Sequence, residues 1–197
     1  MMTPRQYKIH EEELKQESEA LAAAWVPRGN KKLKTLLKEM EPFALNPKDV
    51  PLIIRLVENP KYDIGLFSGS TTLGAHDCIH ILLGRGLLLK DEAFVIGYSM
   101  GSTKKMKRWR RNLFMFICKY LYPKGYKFGE NERFVYNLGV AAGSKCPTDL
   151  SEVDFTEFLD LTLPKIRSKL GIDKDFLKHC YGIEKKSFKD IESQRLL

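Results

Sequence analysis

His76 and His80 lie four residues apart, the spacing that stacks two side chains on one face of an α-helix. Two imidazoles so placed can reach a single metal ion, as in helical zinc motifs. Gly84-Arg85-Gly86 follows and punctuates the helix, because glycine accepts the positive φ that a helix C-terminus commonly needs. Glu92 then arrives about one turn into the next helical pattern.

The apolar pattern says how these residues would meet. Leu73, His76, His80, Leu83 and Leu87 fall on one helical row, so the histidines share the stripe that should face inward. Glu92, Val95, Ile96 and Ser99 form a second row. Packed as an antiparallel helical hairpin, the two helices would bring His80 and Glu92 level near the closed end. A carboxylate on an apolar stripe is costly to bury unless it is paired or bound to a cation.

A histidine on an apolar face is ordinarily a hydrogen-bonded core residue, and that role competes with ligation. The chain has only four histidines (His10, His76, His80 and His179), and two of them stand here beside Asp77 and Glu92. The expected metal set is therefore His76, His80 and Glu92. Asp77 is either a fourth ligand or a neighbouring carboxylate that orients an imidazole; it is also the catalytic candidate. Three protein ligands leave positions open, as catalytic metals require. The expected ion is divalent, zinc first, activating water, and iron(II) second, activating oxygen; the sequence does not choose. Cys78 points away from the histidine row and reads as packing. His179 reads as a surface or packing residue that could complete a site.

His-Asp-x-x-His, eleven residues, then Glu resembles the signature of the Coq4 family of ubiquinone-biosynthesis proteins. Here it runs His76-Asp77-Cys78-Ile79-His80, then Ile81 to Asp91, then Glu92. His80-Ile81-Leu82-Leu83-Gly84 resembles the family's continuation. Ile96 to Gly101 is similar to its small-residue helix, and Leu163 to Ile172 to its closing helix. The likeness is clearest over about residues 50–172. It implies one helical domain over 1–197, a step in quinone ring maturation (oxidative decarboxylation at the C1 position), and binding of a prenylated quinone precursor. Other quinone-biosynthesis enzymes and a second copy of this chain are the further partners consistent with it. The alternative is a non-catalytic helical protein that binds a prenyl lipid or acts as a scaffold. A His-Asp phosphohydrolase would need an earlier metal-binding histidine, and only His10, in a polar segment, lies upstream.

Composition agrees with one soluble globular domain: 197 residues, 43% hydrophobic and 29% charged. No apolar run approaches a membrane span, and the N-terminal segment has neither a signal-peptide core nor the acid-poor character of a mitochondrial presequence. The expected setting is cytoplasmic, peripheral to the inner face of a membrane. Four scattered cysteines suggest a reduced compartment rather than a disulfide framework.

Charge is uneven. From Ala93 to Gly129 there is no acidic residue but nine Lys or Arg, so against a total of +8 the remainder nets to about −1. Lys104, Lys105, Lys107, Arg108, Arg110 and Arg111 are concentrated at its centre, with Met106, Trp109, Leu113, Phe116, Ile117 and Tyr120 as an apolar stripe. A basic amphipathic helix with aromatic residues suits an anionic membrane surface, each basic residue contributing about 1 kcal/mol. Trp109 joins the basic residues as a lipid- or phosphate-binding candidate, and Arg108, Arg110 and Arg111 could engage a phosphate head group. A solvated face over an ordinary core stripe is the plainer alternative. Nucleic acid is disfavoured, since no zinc finger, RNA-recognition signature or helix-turn-helix spacing accompanies the charge.

The remaining pattern is helical throughout, with no convincing strand alternation: the fold class is an all-α multi-helix bundle. Helices are expected over 5–25, 31–40, from Asn46 to about Glu58, and from Gly129 to Cys146. A helix begun at Ser151–Asp154 is expected to kink at Pro164. Asp173 should cap a short helix, and the charged stretch 184–197 is expected to fray.

Overall fold

The computed structural model describes residues 25–43, 73–103, 107–124 and 126–196. Among them the chain is all-α, with eight helices: α1 Leu33–Met40, α2 Leu73–Leu83, α3 Leu89–Ser102, α4 Arg108–Tyr120, α5 Glu130–Gly143, α6 Leu163–Leu170, α7 Lys174–Ser187 and α8 Ile191–Gln194. The expected helices over 5–25 and 46–58, together with His10, Lys104, Lys105 and Met106, lie outside the described residues. No described helix is long and apolar enough to cross a membrane.

Local chemistry sets the boundaries. Helix α2 stops at Gly84, whose φ of 75° is the left-handed conformation, and the Arg85 amide returns to the His80 carbonyl at 3.0 Å. Asp91 accepts from the Leu88 amide at 3.0 Å and so caps the start of α3. Asp173 accepts from the amides of Asp175 and Phe176 to start α7, as expected from sequence, though the helix is longer than the short one foreseen. The expected kinked helix at Pro164 is corrected. Asp149 and Asp154 cap short 3-10 turns at Leu150–Glu152 and Phe155–Phe158, and Pro164 stands in the first turn of α6. Proline fits there because the first helical amides need no intrahelical acceptor.

Helices α3 and α5 form the central pair. A Cβ at Gly97 would overlap the Tyr136 carbonyl, and one at Gly101 the Val140 carbonyl; on the facing helix, Gly139 and Gly143 meet the carbonyls of Phe94 and Tyr98 in the same way. Two glycines four apart on each helix thus let the backbones touch. Gly139→Ala is expected to lower unfolding free energy by about 1–3 kcal/mol, since a backbone carbonyl cannot swing aside. Gly182→Ala, in α7 with nothing within 4 Å of the new methyl, should instead gain roughly 0.5–1 kcal/mol. Denaturant titration of both variants would check the opposite signs.

The hydrophobic interior has two parts. One joins α1, α2, α3, α6 and α7 through Leu33, Leu36, Ile79, Leu82, Phe94, Ile166 and Leu177. The other lies under α4, where Phe114 and Cys118 pack on Ala93, Ile96, Met100 and Tyr136. The stripe named from sequence is split, with Leu113 and Ile117 half-buried against this interior and the aromatic residues turned away from it. Trp109, Phe116 and Tyr120 lie outward, and Phe114 and Cys118 do the burying.

The charged stretch from residue 184, expected to fray, is packed instead through residue 196. Glu184, Ser193 and Leu196 are buried, Lys90 binds Asp190 at 2.6 Å, and Glu192 accepts from the Lys90 amide at 2.6 Å. The charges that suggest solvent exposure are spent on partners about one hundred residues earlier in the chain.

Candidate metal centre

The hairpin of α2 and α3 brings His76, His80 and Glu92 to one point. His76 Nε2 lies 2.9 Å from Glu92 Oε2, His80 Nε2 lies 3.2 Å from Glu92 Oε1, and the two Nε2 atoms are 3.0 Å apart. His80 is 1% exposed and forms the closed side; the side chains of His76 and Glu92 are 18% and 32% exposed, so the group opens toward solvent there.

Proton accounting favours a cation. His80 Nδ1 stands 2.6 Å from the Gly86 carbonyl oxygen, which can only accept, so Nδ1 carries the hydrogen. In the neutral ring Nε2 is then a bare lone pair. It faces one carboxylate oxygen and a second imidazole nitrogen. A single proton on His76 Nε2 can serve only one of its two neighbours. A divalent ion would satisfy all three groups at once, and ligand atoms roughly 3 Å apart fit the edges of a coordination shell with bonds of about 2.0–2.2 Å. The residues present therefore fit a metal ion, and His76, His80 and Glu92 are the set that could hold it.

In the metal-free chain burial opposes ionisation of Glu92, but His80 and His76, through charge and hydrogen bonds, hold its carboxyl well below the usual carboxylate range. Asp77 is half-buried and is not one of the three converging groups. It senses them nonetheless: burial raises its pKa, His76 and His80 lower it, Glu92 raises it, and the net direction is upward. Cys78 is buried with its thiol pushed up to about 12, mainly by burial and then by Asp77, in keeping with its reading as packing. His179 is exposed on α7, its ring 6.1 Å from that of Phe176, and takes no part in the group.

The support of the centre is where sequence reasoning fell short. Arg85, fully buried in the turn between the two helices, donates from Nη1 to Glu184 Oε1 at 3.1 Å and from Nη2 to Oε2 at 2.5 Å. Its guanidinium lies over the rings of Phe94 (4.0 Å) and Tyr181 (4.5 Å), which meet each other edge to face. Asp91, one residue before Glu92, pairs with Arg195 and lies 3.7 Å from Arg85. The last carbonyls of α2 are held too: Arg167 donates to Leu82 at 2.7 Å and Tyr181 donates to Leu83. These contacts fix the turn that presents the Gly86 carbonyl to His80. Two signals for them were in the sequence. Arg85 interrupts an otherwise apolar run, and Glu184 shares a helical row with Leu177, Cys180 and Tyr181.

Of the basic and aromatic candidates on α4, Arg108 and Trp109 are exposed, as is Lys107 just before the helix, while Arg110 and Arg111 are half-buried. None belongs to the His76–His80–Glu92 group. Comparison of the chain with protein-family models, with curated proteins and with solved structures returns no match.

Proposed function

We propose that the chain is a metal-dependent enzyme of prenylquinone formation, acting by oxidative decarboxylation on a prenylated phenolic ring acid. The observation that carries the reading is the convergence of two imidazoles and a carboxylate, with one tautomer fixed by Gly86, on a side open to solvent. The resemblance of residues 76–92 to the quinone-biosynthesis signature supplies the substrate class. Zinc and iron(II) both suit the donor set; an ion held there would polarise a ring carboxylate or phenol as a Lewis acid.

The chain's own residues have separable tasks in this reading. His80, buried and tautomer-locked, is the rigid ligand. His76 and Glu92, on the open side, border the substrate position. Asp77, beside them, is assigned to carry a proton to or from the ring substituent.

The test uses protein purified without added metal and without an affinity-tag histidine run. Elemental analysis should find about one equivalent of zinc or iron, the stoichiometry set by the single group of candidate ligands among the described residues. The metal-loaded protein, given a prenylated phenolic acid, water and dioxygen as two-electron oxidant, should release carbon dioxide, leave a hydroxyl on the vacated ring carbon and reduce the dioxygen to hydrogen peroxide. Asp77→Asn should retain metal and lose turnover. Turnover that survives His80→Ala combined with Glu92→Gln would sink the proposal. Metal retained without any turnover would leave a non-catalytic lipid-binding protein in which the ion anchors a head group.

A further inference from the structure

Helix α4 shows the solvent a face that a water-exposed helix would not be expected to carry. Its buried edge is Phe114 and Cys118, both 0% exposed. On the opposite edge Trp109, Phe116 and Tyr120 are 51%, 54% and 56% exposed, and Leu121 beyond the helix is 55% exposed. Positions 109, 116 and 120 fall on one line along a helix of 3.6 residues per turn, so the aromatic side chains form a ridge.

Cations flank that ridge. The Arg110 guanidinium lies 5.5 Å from the Trp109 ring and the Lys119 ammonium 5.6 Å from the Tyr120 ring. Lys107 and Arg108 are exposed at the helix start. Beside the ridge, between α4 and α5, runs a cleft of about 510 Å³ whose lining includes Arg108, Arg111, Lys119 and Arg133. A single carboxylate, Glu130, stands among them, 3.0 Å from Lys119 and 3.8 Å from Arg133.

We propose that α4 docks in the plane of an anionic phospholipid bilayer. Trp109, Phe116 and Tyr120 enter the boundary between head groups and acyl chains, while the flanking cations meet lipid phosphates and the cleft seats one head group. Charge complementarity selects this occupant. The segment 93–129 carries nine cations and no acid, so a second copy of the chain would meet its own charge. Ring placement argues against nucleic acid. Phe116 and Tyr120 pack on each other with centroids 4.8 Å apart, leaving no gap for a base to stack between them, and the cations flank the ridge rather than crown it. An aromatic ridge between basic margins is the arrangement of a helix lying in a membrane interface. The proposal goes beyond the metal chemistry and requires nothing of it.

The test is co-sedimentation of the full, metal-stripped chain with vesicles of phosphatidylcholine alone or with about one-third phosphatidylglycerol. The protein should pellet with the anionic vesicles and stay in solution with the neutral ones. About 1 M salt should release it, because screening shortens the reach of the surface charge to a few ångström. Trp109→Ser/Phe116→Ser/Tyr120→Ser should weaken partition by about tenfold or more with the helical circular dichroism unchanged, since the three side chains already face solvent. Lys107→Gln/Arg108→Gln should weaken it by a similar factor at low salt. Equal sedimentation with neutral vesicles, full retention by the triple variant, or an oligonucleotide complex that anionic vesicles fail to displace would each overturn the proposal. Stripping the metal beforehand separates this result from any failure of the decarboxylation reading.

Discussion

Glu92→Gln is expected to cost metal affinity by more than about a hundredfold while leaving the fold intact. The carboxylate lies at the open side of the centre, and glutamine keeps its shape, so little packing is lost. What is lost is the negative charge that stands 2.9 Å from His76 Nε2 and 3.2 Å from His80 Nε2. An amide can offer one oxygen, but its nitrogen would turn a donor toward a group of lone pairs. His80→Ala should reduce affinity at least as far. It also leaves the Gly86 carbonyl without its partner, so a fall in stability would accompany it; His179→Ala should change neither. Zinc titration against a competing chelator measures the affinities. Bound metal raises stability by the mass-action term, roughly 4 kcal/mol at a thousand times Kd, so chelation should lower the melting temperature of wild type and barely move that of Glu92→Gln. An equal response from both proteins would show that the group is not the metal site.

Acidification gives a second sign to check. Glu92 has a depressed pKa in the folded, metal-free chain, so its contribution to stability is present above its ordinary 4.5 and lost as pH falls from there. Metal binding asks in addition that both imidazoles be unprotonated, so affinity falls as pH is lowered. Glu92→Gln should remove the first dependence. A variant whose stability still falls with wild-type steepness below pH 4.5 would place the acid sensitivity elsewhere.

The hairpin could be read from the sequence because its information is local. The four-residue histidine spacing, Gly84 and the placement of Glu92 all fall within the 17 residues from His76 to Glu92, where periodicity maps directly onto space. The buried charges could not be read so easily. Arg85 and Glu184 are 99 residues apart, and a charged residue beside a glycine or near a chain end ordinarily signals solvent. The same rule makes residues 184–197 look like a fraying tail, although Asp190, Glu192 and Arg195 are bound to the first turn of α3. On α4 the sequence left two roles open for its apolar stripe, an outward face or a core face, and the structure divides the stripe between them. Trp109, Phe116 and Tyr120 are the more conspicuous stripe, but the face chosen by α3 and α5 is Phe114 and Cys118, which fit beneath the helix.

Glu184→Ala is expected to destabilise the protein by about 3–5 kcal/mol, a large share of the 5–15 kcal/mol typical of a domain. The guanidinium of Arg85 is fully buried, and Glu184 supplies both of its short carboxylate contacts. Without it the nearest carboxylate oxygen is Asp91 Oδ1 at 3.7 Å, beyond hydrogen-bond reach, and Asp91 is held in place through its other oxygen by Arg195 and the Leu88 amide. The cation would remain buried against Phe94 and Tyr181 with only the 3.7 Å contact to Asp91 to offset its charge. Arg85→Met alone should be costly for the mirror reason, since it leaves Glu184 buried with Ser193 at 3.3 Å as its remaining side-chain partner among the described residues. The double variant Arg85→Met/Glu184→Leu removes both charges, and denaturant midpoints should show it recovering a substantial part of either loss. Stability and ligation then separate. In the double variant the turn no longer has its buried anchor, so the Gly86 carbonyl can drift from His80 Nδ1 and metal affinity should fall about 10–100-fold even where stability is regained. Undiminished affinity in a stable double variant would mean that α2 alone positions His80 and that the buried charges serve only the fold.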